Sequence, residues 1–533
     1  MKNLTLLLFF GLFFSPLSIF AQNAPTHQGC GTSMDDQQVL LKNMIELRQR
    51  HPNVATARGF IYVPVWFHIV TKTDGTGGTT EANIAEMLCG WNTIYEDCGS
   101  EIQFYIKGFT TINLDALYNE QQSATSVARM RTAKKADALN VYLTNNAGVG
   151  ANPNEVVLGY YSNRTTTNDA EYSNDWIVCI NSQVNKTGAI TIAHESAHMM
   201  GLVHTFFGWE AGGFIPFGTV TCAPATVTYN GRVMQVEKVA RTSPTKNCDV
   251  AADGFCDTPA DYASPPFNIN NCIWTGTARD PDCVPINPDE TNMMGTYLSY
   301  ICTKQFSTEQ IAAMRNNLQN HPQRAYLRDN SVTPPLTTTL VTLISPANNA
   351  TTAYFNNITL DWEDVPTALG YAVDVSRFSS FFGTTKSFYV TRSEVNINTT
   401  NAPNIGLTAG VRYYWRVRAI VPFKNCNNLT ATGAFTTGTL NTVNEMGGVT
   451  HFSVSPNPLS KSPYLSLQMT SATAFDAQIK LFNTIGALIK TEYRRFPIGV
   501  SSQEVSISGL TIGTYILSVE SEKGVLNKRI IIQ

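Results

Sequence analysis

The chain has 533 residues, of which 14% are charged, and a formal net charge of −3 with its histidines neutral. That length is too great for one hydrophobic core and sets an expectation of about three domains. The sparse, slightly acidic charge argues against a nucleic-acid or other polyanion partner and against long charged disordered tails.

The chain opens Met1-Lys2-Asn3 and continues with an apolar run over 4–20, interrupted at Ser15-Pro16 and ending in Ala21. This pattern predicts a secretory signal peptide over 1–21. No later segment is apolar enough to span a bilayer, so no transmembrane segment is expected once the signal is removed. The eleven cysteines stand at 30, 89, 98, 179, 222, 248, 256, 272, 283, 302 and 426. In an exported protein the five between 248 and 302 imply disulfides stapling that region. An odd count leaves one over.

Residues 22–58 read as a pro-segment. They hold one helical stretch, with Val39, Leu40, Met44, Ile45 and Leu47 at helical spacing. Arg48, Arg50 and Arg58 offer cutting points ahead of a strand over 60–70. A helix over 82–98, with Thr80 as its cap, presents Ile84, Met87, Leu88, Trp91, Ile94 and Tyr95 on one face. Strands follow over 102–106, 138–143 and 176–180, with 156–161 as an edge strand. Thr187 is the expected cap of the next helix. A mixed sheet feeding a helix in this way is an α/β layered domain.

That helix carries His194-Glu195-x-x-His198-x-x-Gly201-x-x-His204. His194 and His198 lie one turn apart and face the same way. Gly201 allows a positive φ that stops the helix and swings the chain back. The turn brings His204 to a third position. Three imidazoles with one open position are the donor set of a catalytic zinc site. Glu195 is placed as general base toward the attacking water. Two readings of Cys30 stay open. Its thiolate closes the zinc site in a latent form, or it is half of a structural disulfide.

Beyond His204 helical patterning fades for some eighty residues. Asp253-Gly254-Phe255-Cys256-Asp257-Thr258 is either a calcium-binding turn or a solvated acidic one. Asn292-Met293-Met294-Gly295 and Tyr297 follow, and Phe306-Ser307-Thr308-Glu309-Gln310 opens a last helix.

Residues 28–325 resemble the pappalysin family of metzincin zinc metallopeptidases, in its bacterial ulilysin-like branch. The residues that carry the likeness are His194–His204 with Thr205-Phe206, the Val-Trp-Phe-His68 strand, Asp253 to Pro259, Asn292-x-Met294, Cys302, and Phe306 to Gln310. The resemblance implies a metzincin catalytic domain over 59–330 and a zinc endopeptidase made as a latent zymogen. Cys30-Gly31-Thr32 would be its cysteine switch. It implies Met294 as the Met-turn floor under the zinc ligands and Tyr297 as the residue that steadies the oxyanion. Asp253 and Thr258 would be calcium ligands, and Cys248–Cys283 and Cys272–Cys302 disulfides. The chain departs from the family's pattern by placing Tyr297 three residues, not two, after Met294. It departs again at Leu298-Ser299-Tyr300-Ile301, where arginine-selective relatives carry acids. An arginine side chain buried there would lack its partner, so arginine selectivity is expected to weaken in favour of apolar residues.

After a Pro-rich linker over 331–339, strand patterns recur over 358–362, 370–375, 387–391 and 413–420. Trp362 as core tryptophan and Leu407-x-x-Gly410-x-x-Tyr413 as a tyrosine corner make residues 340–438 resemble a fibronectin type III domain. Residues 445–533 carry Pro456-Asn457-Pro458, Leu510-x-x-Gly513-x-Tyr515 and a basic-apolar end, Lys528 to Gln533. They resemble type IX secretion C-terminal sorting domains. The implied partners are protein substrates and the type IX machinery, and the implied location is extracellular or surface-attached. A competing reading is a surface adhesion protein with a vestigial peptidase module.

Overall fold

The computed structural model describes residues 30–52, 59–148, 156–164, 168–210, 212–216, 221–229, 231–268, 271–295, 302–303, 305–328, 341–382, 385–398, 402, 405–423, 426, 432–438, 446, 448–460 and 462–533. The chain divides into two compact units, 1–79 with 87–332 and 80–86 with 333–533. The expected signal peptide lies outside the described residues. Among those described, no helix is long and apolar enough to cross a membrane.

Helix α1 (Met34–Arg50) is capped by Ser33, whose side chain accepts from Asp36 N, and buries Val39, Leu40, Met44 and Leu47. It is longer than the apolar spacing predicted because Ser33 starts it a turn earlier. Strand β1 (Ile61–Thr71), α2 (Glu81–Asp97), β2 (Ile102–Asn113), α3 (Asp115–Asn119), α4 (Ala124–Ala133), β3 (Leu139–Thr144), β4 (Gly159–Ser162) and β5 (Trp176–Ile180) follow. They build one five-stranded sheet in the order β2-β1-β3-β5-β4. All pairs are parallel except β4 with β5. The apolar β3 and β5 are buried throughout, as parallel strands covered on both faces must be. The reversal of β4 leaves it at the sheet's edge.

Helix α5 (Ala189–Met199) is wholly buried. It is held by α2, where Trp91 Nε1 donates to Ser196 Oγ at 3.1 Å and Tyr95 OH donates to Ala193 O at 3.1 Å. Trp91 in turn stacks on Phe104 of β2 with ring centroids 3.8 Å apart. Each such buried aromatic contributes about 1.5–3 kcal/mol. Thr187 is not the cap that its type suggested. The residue before the helix is Gly188, which makes no side-chain cap. Asn185 Oδ1 accepts from Gly188 N at 2.8 Å, and a Cβ at 188 would meet Gln183 O at 2.3 Å, so only glycine fits this turn.

Two hairpins, β6 (Thr226–Tyr229) with β7 (Arg232–Gln235) and β8 (Phe267–Asn268) with β9 (Ile273–Trp274), interrupt the loop-rich half. Helix α6 (Thr308–Asn320) then starts on a capping box made by Ser307 and Gln310. Disulfides join Cys222–Cys283, Cys248–Cys256 and Cys272–Cys302. The expected Cys248–Cys283 pair is therefore wrong. Gly254, at φ +77°, folds the short loop back so that Cys248 meets Cys256 at a Cα separation of 5.0 Å. Cys30, Cys98 and Cys179 remain thiols, so Cys30 is not a lone leftover.

Beyond residue 340 the named elements are all strands. Strands β10 (Leu343–Ser345), β11 (Ala350–Thr351), β12 (Asn357–Trp362), β13 (Gly370–Ser376), β14 (Thr385–Val390), β15 (Glu394–Asn398), β16 (Arg412–Ile420) and β17 (Gly433–Thr436) form two sheets, β10-β12-β15 and β11-β17-β16-β13-β14. Trp362, Trp415, Tyr371 and Tyr413 fill their shared core. Tyr413 OH donates to Gly406 O at 2.8 Å and accepts from Thr408 N at 3.0 Å, the tyrosine-corner arrangement. Strands β18 (Val449–Ser455), β19 (Tyr464–Ser471), β20 (Phe475–Asn483), β21 (Leu488–Phe496), β22 (Gly499–Ser506), β23 (Gly513–Ser521) and β24 (Gly524–Ile532) form a second pair of sheets, β18-β19-β22 and β21-β20-β23-β24. Alternating residues such as Leu465, Leu467 and Met469 fill that core.

Candidate active site

Helix α5 ends in a Schellman turn. Leu202 N donates to Ala197 O at 3.0 Å and Gly201 N to His198 O at 2.9 Å. Gly201 sits at φ +97°, and a Cβ there would lie 2.9 Å from Asn317 Nδ2. The reversal returns His204 to the helix face that carries His194 and His198. His204 Nε2 lies 3.2 Å from His198 Nε2 and 3.3 Å from His194 Nε2.

The other ring nitrogens explain why these three face each other. His194 Nδ1 donates to Met293 O at 2.7 Å and His198 Nδ1 to Leu202 O at 2.9 Å. A carbonyl only accepts, so both Nδ1 atoms carry the proton and both Nε2 atoms present lone pairs. Burial pushes His194 down to about 4 and His198 well below its ordinary value, where the neighbouring His194 adds to the effect. Neutral lone pairs this close repel unless a cation lies between them. Ligands of a tetrahedral zinc with bonds near 2.0–2.1 Å stand roughly 3.3–3.4 Å apart. The donor set therefore fits zinc.

The Met-turn is tied to the same face. Met294 is fully buried, and its N–H donates to Asn292 Oδ1 at 2.9 Å. Thr205 N donates to Met294 O at 3.0 Å. Asn292 Nδ2 donates to Gln310 Oε1 at 3.0 Å, so the N3 residue of the α6 capping box also holds this loop. Tyr297 and the expected pocket residues Leu298, Ser299, Tyr300 and Ile301 lie outside the described residues.

Cys30 enters from the opposite side. Its Sγ is 3.5 Å from His198 Nε2 and donates to Glu195 Oε2 at 3.7 Å. One ligand atom from each of Cys30, His194, His198 and His204 lies within 4.8 Å of the others, the one group of this kind among the described residues. Burial, and then the charge of Glu195, push the Cys30 thiol up. Glu195 is fully buried, and burial pushes its carboxyl up to about 8. Its Oε2 accepts from Thr32 Oγ1 at 2.9 Å and from Tyr161 N of β4 at 3.0 Å, while Oε1 has no hydrogen-bond partner. A Cβ at Gly159 would sit 3.2 Å from Glu195 Cγ, so this part of β4 is glycine by close approach.

Asp253 is buried, and its Oδ1 accepts from Phe255 N and Thr258 Oγ1, both at 3.1 Å. Its Oδ2 has no partner, and burial pushes the carboxyl up to about 8. Glu237 nearby is buried, paired with Arg241 at 2.9 Å, and held well above its ordinary value by burial and by Asp253.

Sequence reasoning missed Tyr161, Gln37 and Glu210, and gave Thr32 only as part of the cysteine switch. Gln37 Oε1 accepts from His204 N at 3.1 Å, and Glu210 Oε1 lies 3.6 Å from His204 Nδ1. No local signal marks these three, because each reaches the site through tertiary contact.

Residues 69–238 match the model of metallo-peptidase family M12, and residues 453–533 match that of the secretion system C-terminal sorting domain. An extracellular metalloprotease of Colletotrichum graminicola is 27% identical over 209 residues, covering 36% of this chain and 70% of that protein. The Tannerella forsythia promirolysin mutant E225A has a TM-score of 0.34 at 15% identity, covering 56% of this chain and 97% of the other. Fibronectin(III)-like modules of Clostridium thermocellum CbhA give 0.14 at 10% identity, covering 36% and 93%.

Proposed function

We infer from the M12 metallo-peptidase domain at 69–238, read together with its histidine cluster, that the chain is a secreted zinc endopeptidase whose His194, His198 and His204 hold the metal. The observation that carries this is the convergence of the three Nε2 atoms at 3.2–3.3 Å, with the Nδ1 atoms of His194 and His198 tied to carbonyls. Zinc held there supplies Lewis-acid chemistry, lowering the pKa of water from near 16 toward about 7 and polarising the scissile carbonyl. Glu195 takes the proton of the attacking water and passes it to the leaving amine. Tyr161 N–H orients the carboxylate, and Met294 and Asn292 fix the loop whose carbonyl holds His194. We assign Tyr297 to the oxyanion and residues 298–301 to the pocket for the residue after the cut, with apolar residues preferred there.

The uncut chain is latent in this reading. In a tetrahedron with zinc–sulfur bonds near 2.3 Å, sulfur and nitrogen ligands stand roughly 3.5–3.6 Å apart. The 3.5 Å between Cys30 Sγ and His198 Nε2 supports Cys30 as the fourth ligand. Asp253 and Thr258 are proposed as calcium ligands, with Glu237 beside them. The partnerless Asp253 Oδ2 and Glu237 Oε2 support this, because buried carboxylates in excess of Arg241 call for a cation. The sorting domain places the protein outside the cell or on its surface and implies the type IX machinery as partner.

The test is Glu195→Gln in the processed protein, scored on casein with and without a chelator. Wild-type protein loses activity in the chelator. The variant keeps its zinc and loses on the order of 10²–10⁴ in rate. Chelator-insensitive hydrolysis, or an active variant, would refute the reading.

A further inference from the structure

Residues 30–36 meet the exposed edge of β4 at three alternate positions. Gly31 N donates to Gly159 O at 2.8 Å. Thr32 Oγ1 accepts from Tyr161 N at 2.9 Å. Asp36 Oδ1 accepts from Asn163 N at 3.3 Å. An edge strand offers such groups to any extended peptide laid along it. The first two contacts lie at the metal ligands and the base. The third is made by a carboxylate, and Asp36 is only 5% exposed.

Asp36 has two different oxygens. Oδ2 accepts from Ser33 Oγ at 2.9 Å and belongs to the first turn of its own helix. Oδ1 points out of that helix to β4. There the Arg164 backbone N–H and guanidinium add to Asn163 in favouring the charged carboxylate, against a burial that pushes it up to about 6. Beside it lies a cavity of about 260 Å³. Its permanent wall includes Gln121, Gln122, Tyr160, Arg164, Asn174 and Trp176, while Gly31, Ser33 and Asp36 close it from the pro-segment side.

We propose that residues 163–164, just past the end of β4, form a subsite for an acidic side chain of the protein substrate, and that Asp36 occupies it in the uncut chain. This rests on the reading of 22–58 as a removable inhibitory segment of a peptidase. When that segment leaves, two backbone N–H groups lose their carboxylate and the Arg164 guanidinium loses a nearby negative charge. A substrate Asp or Glu restores charge-assisted hydrogen bonds there. A basic side chain meets like charge, and an apolar one leaves the donors unmatched.

The experiment is cleavage-site profiling of the activated protein on a peptide library, beside the same library cut by Arg164→Gln. Asp and Glu should exceed Asn and Gln by roughly tenfold in kcat/KM at one fixed position from the cut. In Arg164→Gln that ratio should fall toward one. A flat profile, or a preference that survives the substitution, overturns the proposal. A second arm does not depend on turnover. A synthetic peptide of residues 30–52 is titrated into the activated protein, in native form and as Asp36→Asn. The substitution should weaken binding roughly tenfold with Arg164 present and little in Arg164→Gln. Equal binding of both peptides to the Arg164 protein overturns the proposal. Absence of hydrolysis in every arm refutes the peptidase reading instead, and the titration still decides the subsite.

Discussion

His194 and His198 are tied to the backbone carbonyls of Met293 and Leu202, whereas the segment that covers them is held mostly by side chains, with Gly31 N on Gly159 O beside them. Cys30, Thr32 and Gln37 reach the metal ligands and the base, and Arg48 Nη1 anchors the far end of α1 on Gly254 O at 2.7 Å. The first set belongs to the Schellman turn and the 292–294 loop, outside residues 22–58. In the proposed zymogen the second set would leave with its helix. A donor set fixed by backbone outside that segment is then expected to keep its shape when uncovered.

That contrast breaks in different places under different changes. The largest effect is expected for Cys30→Ala in the uncut chain. Peptide hydrolysis by unprocessed protein should rise by at least about tenfold, measured before any self-cleavage, because a ligand-grade contact is lost. Unchanged latency would leave Cys30 without its role.

Next comes the acidic cluster. Asp253 is raised from 3.8 to about 8 in the folded chain. Between those values the folded state binds more protons than the unfolded one. Stability present in acid is therefore lost as pH rises toward 8, on the order of a few kcal/mol at most. Melting of the chelated protein should rise from pH 8 to pH 5, and added calcium at pH 8 should restore it. A pH-independent Tm, or no effect of calcium, contradicts the cation site.

Gly201→Ala attacks the permanent set. At φ +97°, and 2.9 Å from Asn317, the substitution should cost about 1–3 kcal/mol. Denaturant unfolding measures it, and zinc affinity should fall with it as His204 shifts. The smallest effect is expected for Thr32→Val, which keeps shape but removes the hydroxyl from Glu195. About 1 kcal/mol of the cover's hold is lost, so isolated pro-segment should inhibit roughly fivefold less well.

Much of this was legible in the chain. The histidine spacing with Gly201 implied one helix, one turn and one convergent site, because helical geometry leaves little else for those positions. The edge strand expected over 156–161 was readable in place, though it runs over Gly159–Ser162, and Ser307 with Gln310 is a local signature. Other features were not readable. Gln37 and Tyr161 matter only because α1 and β4 flank α5, a tertiary fact with no local pattern. Thr187 looked like a cap, but Asn185 and the crowding at Gly188 decide that turn. Cys248 was assigned to Cys283 on the family resemblance alone, whereas the loop that turns at Gly254 brings it to Cys256.

The central claim is that the uncut chain carries zinc on three histidines closed by Cys30. X-ray absorption at the zinc edge reads this directly. The uncut protein should show one sulfur near 2.3 Å beside the nitrogen shell, lost on removal of 22–58 and absent in Cys30→Ala. A shell of nitrogen and oxygen alone in the uncut wild-type protein would contradict it.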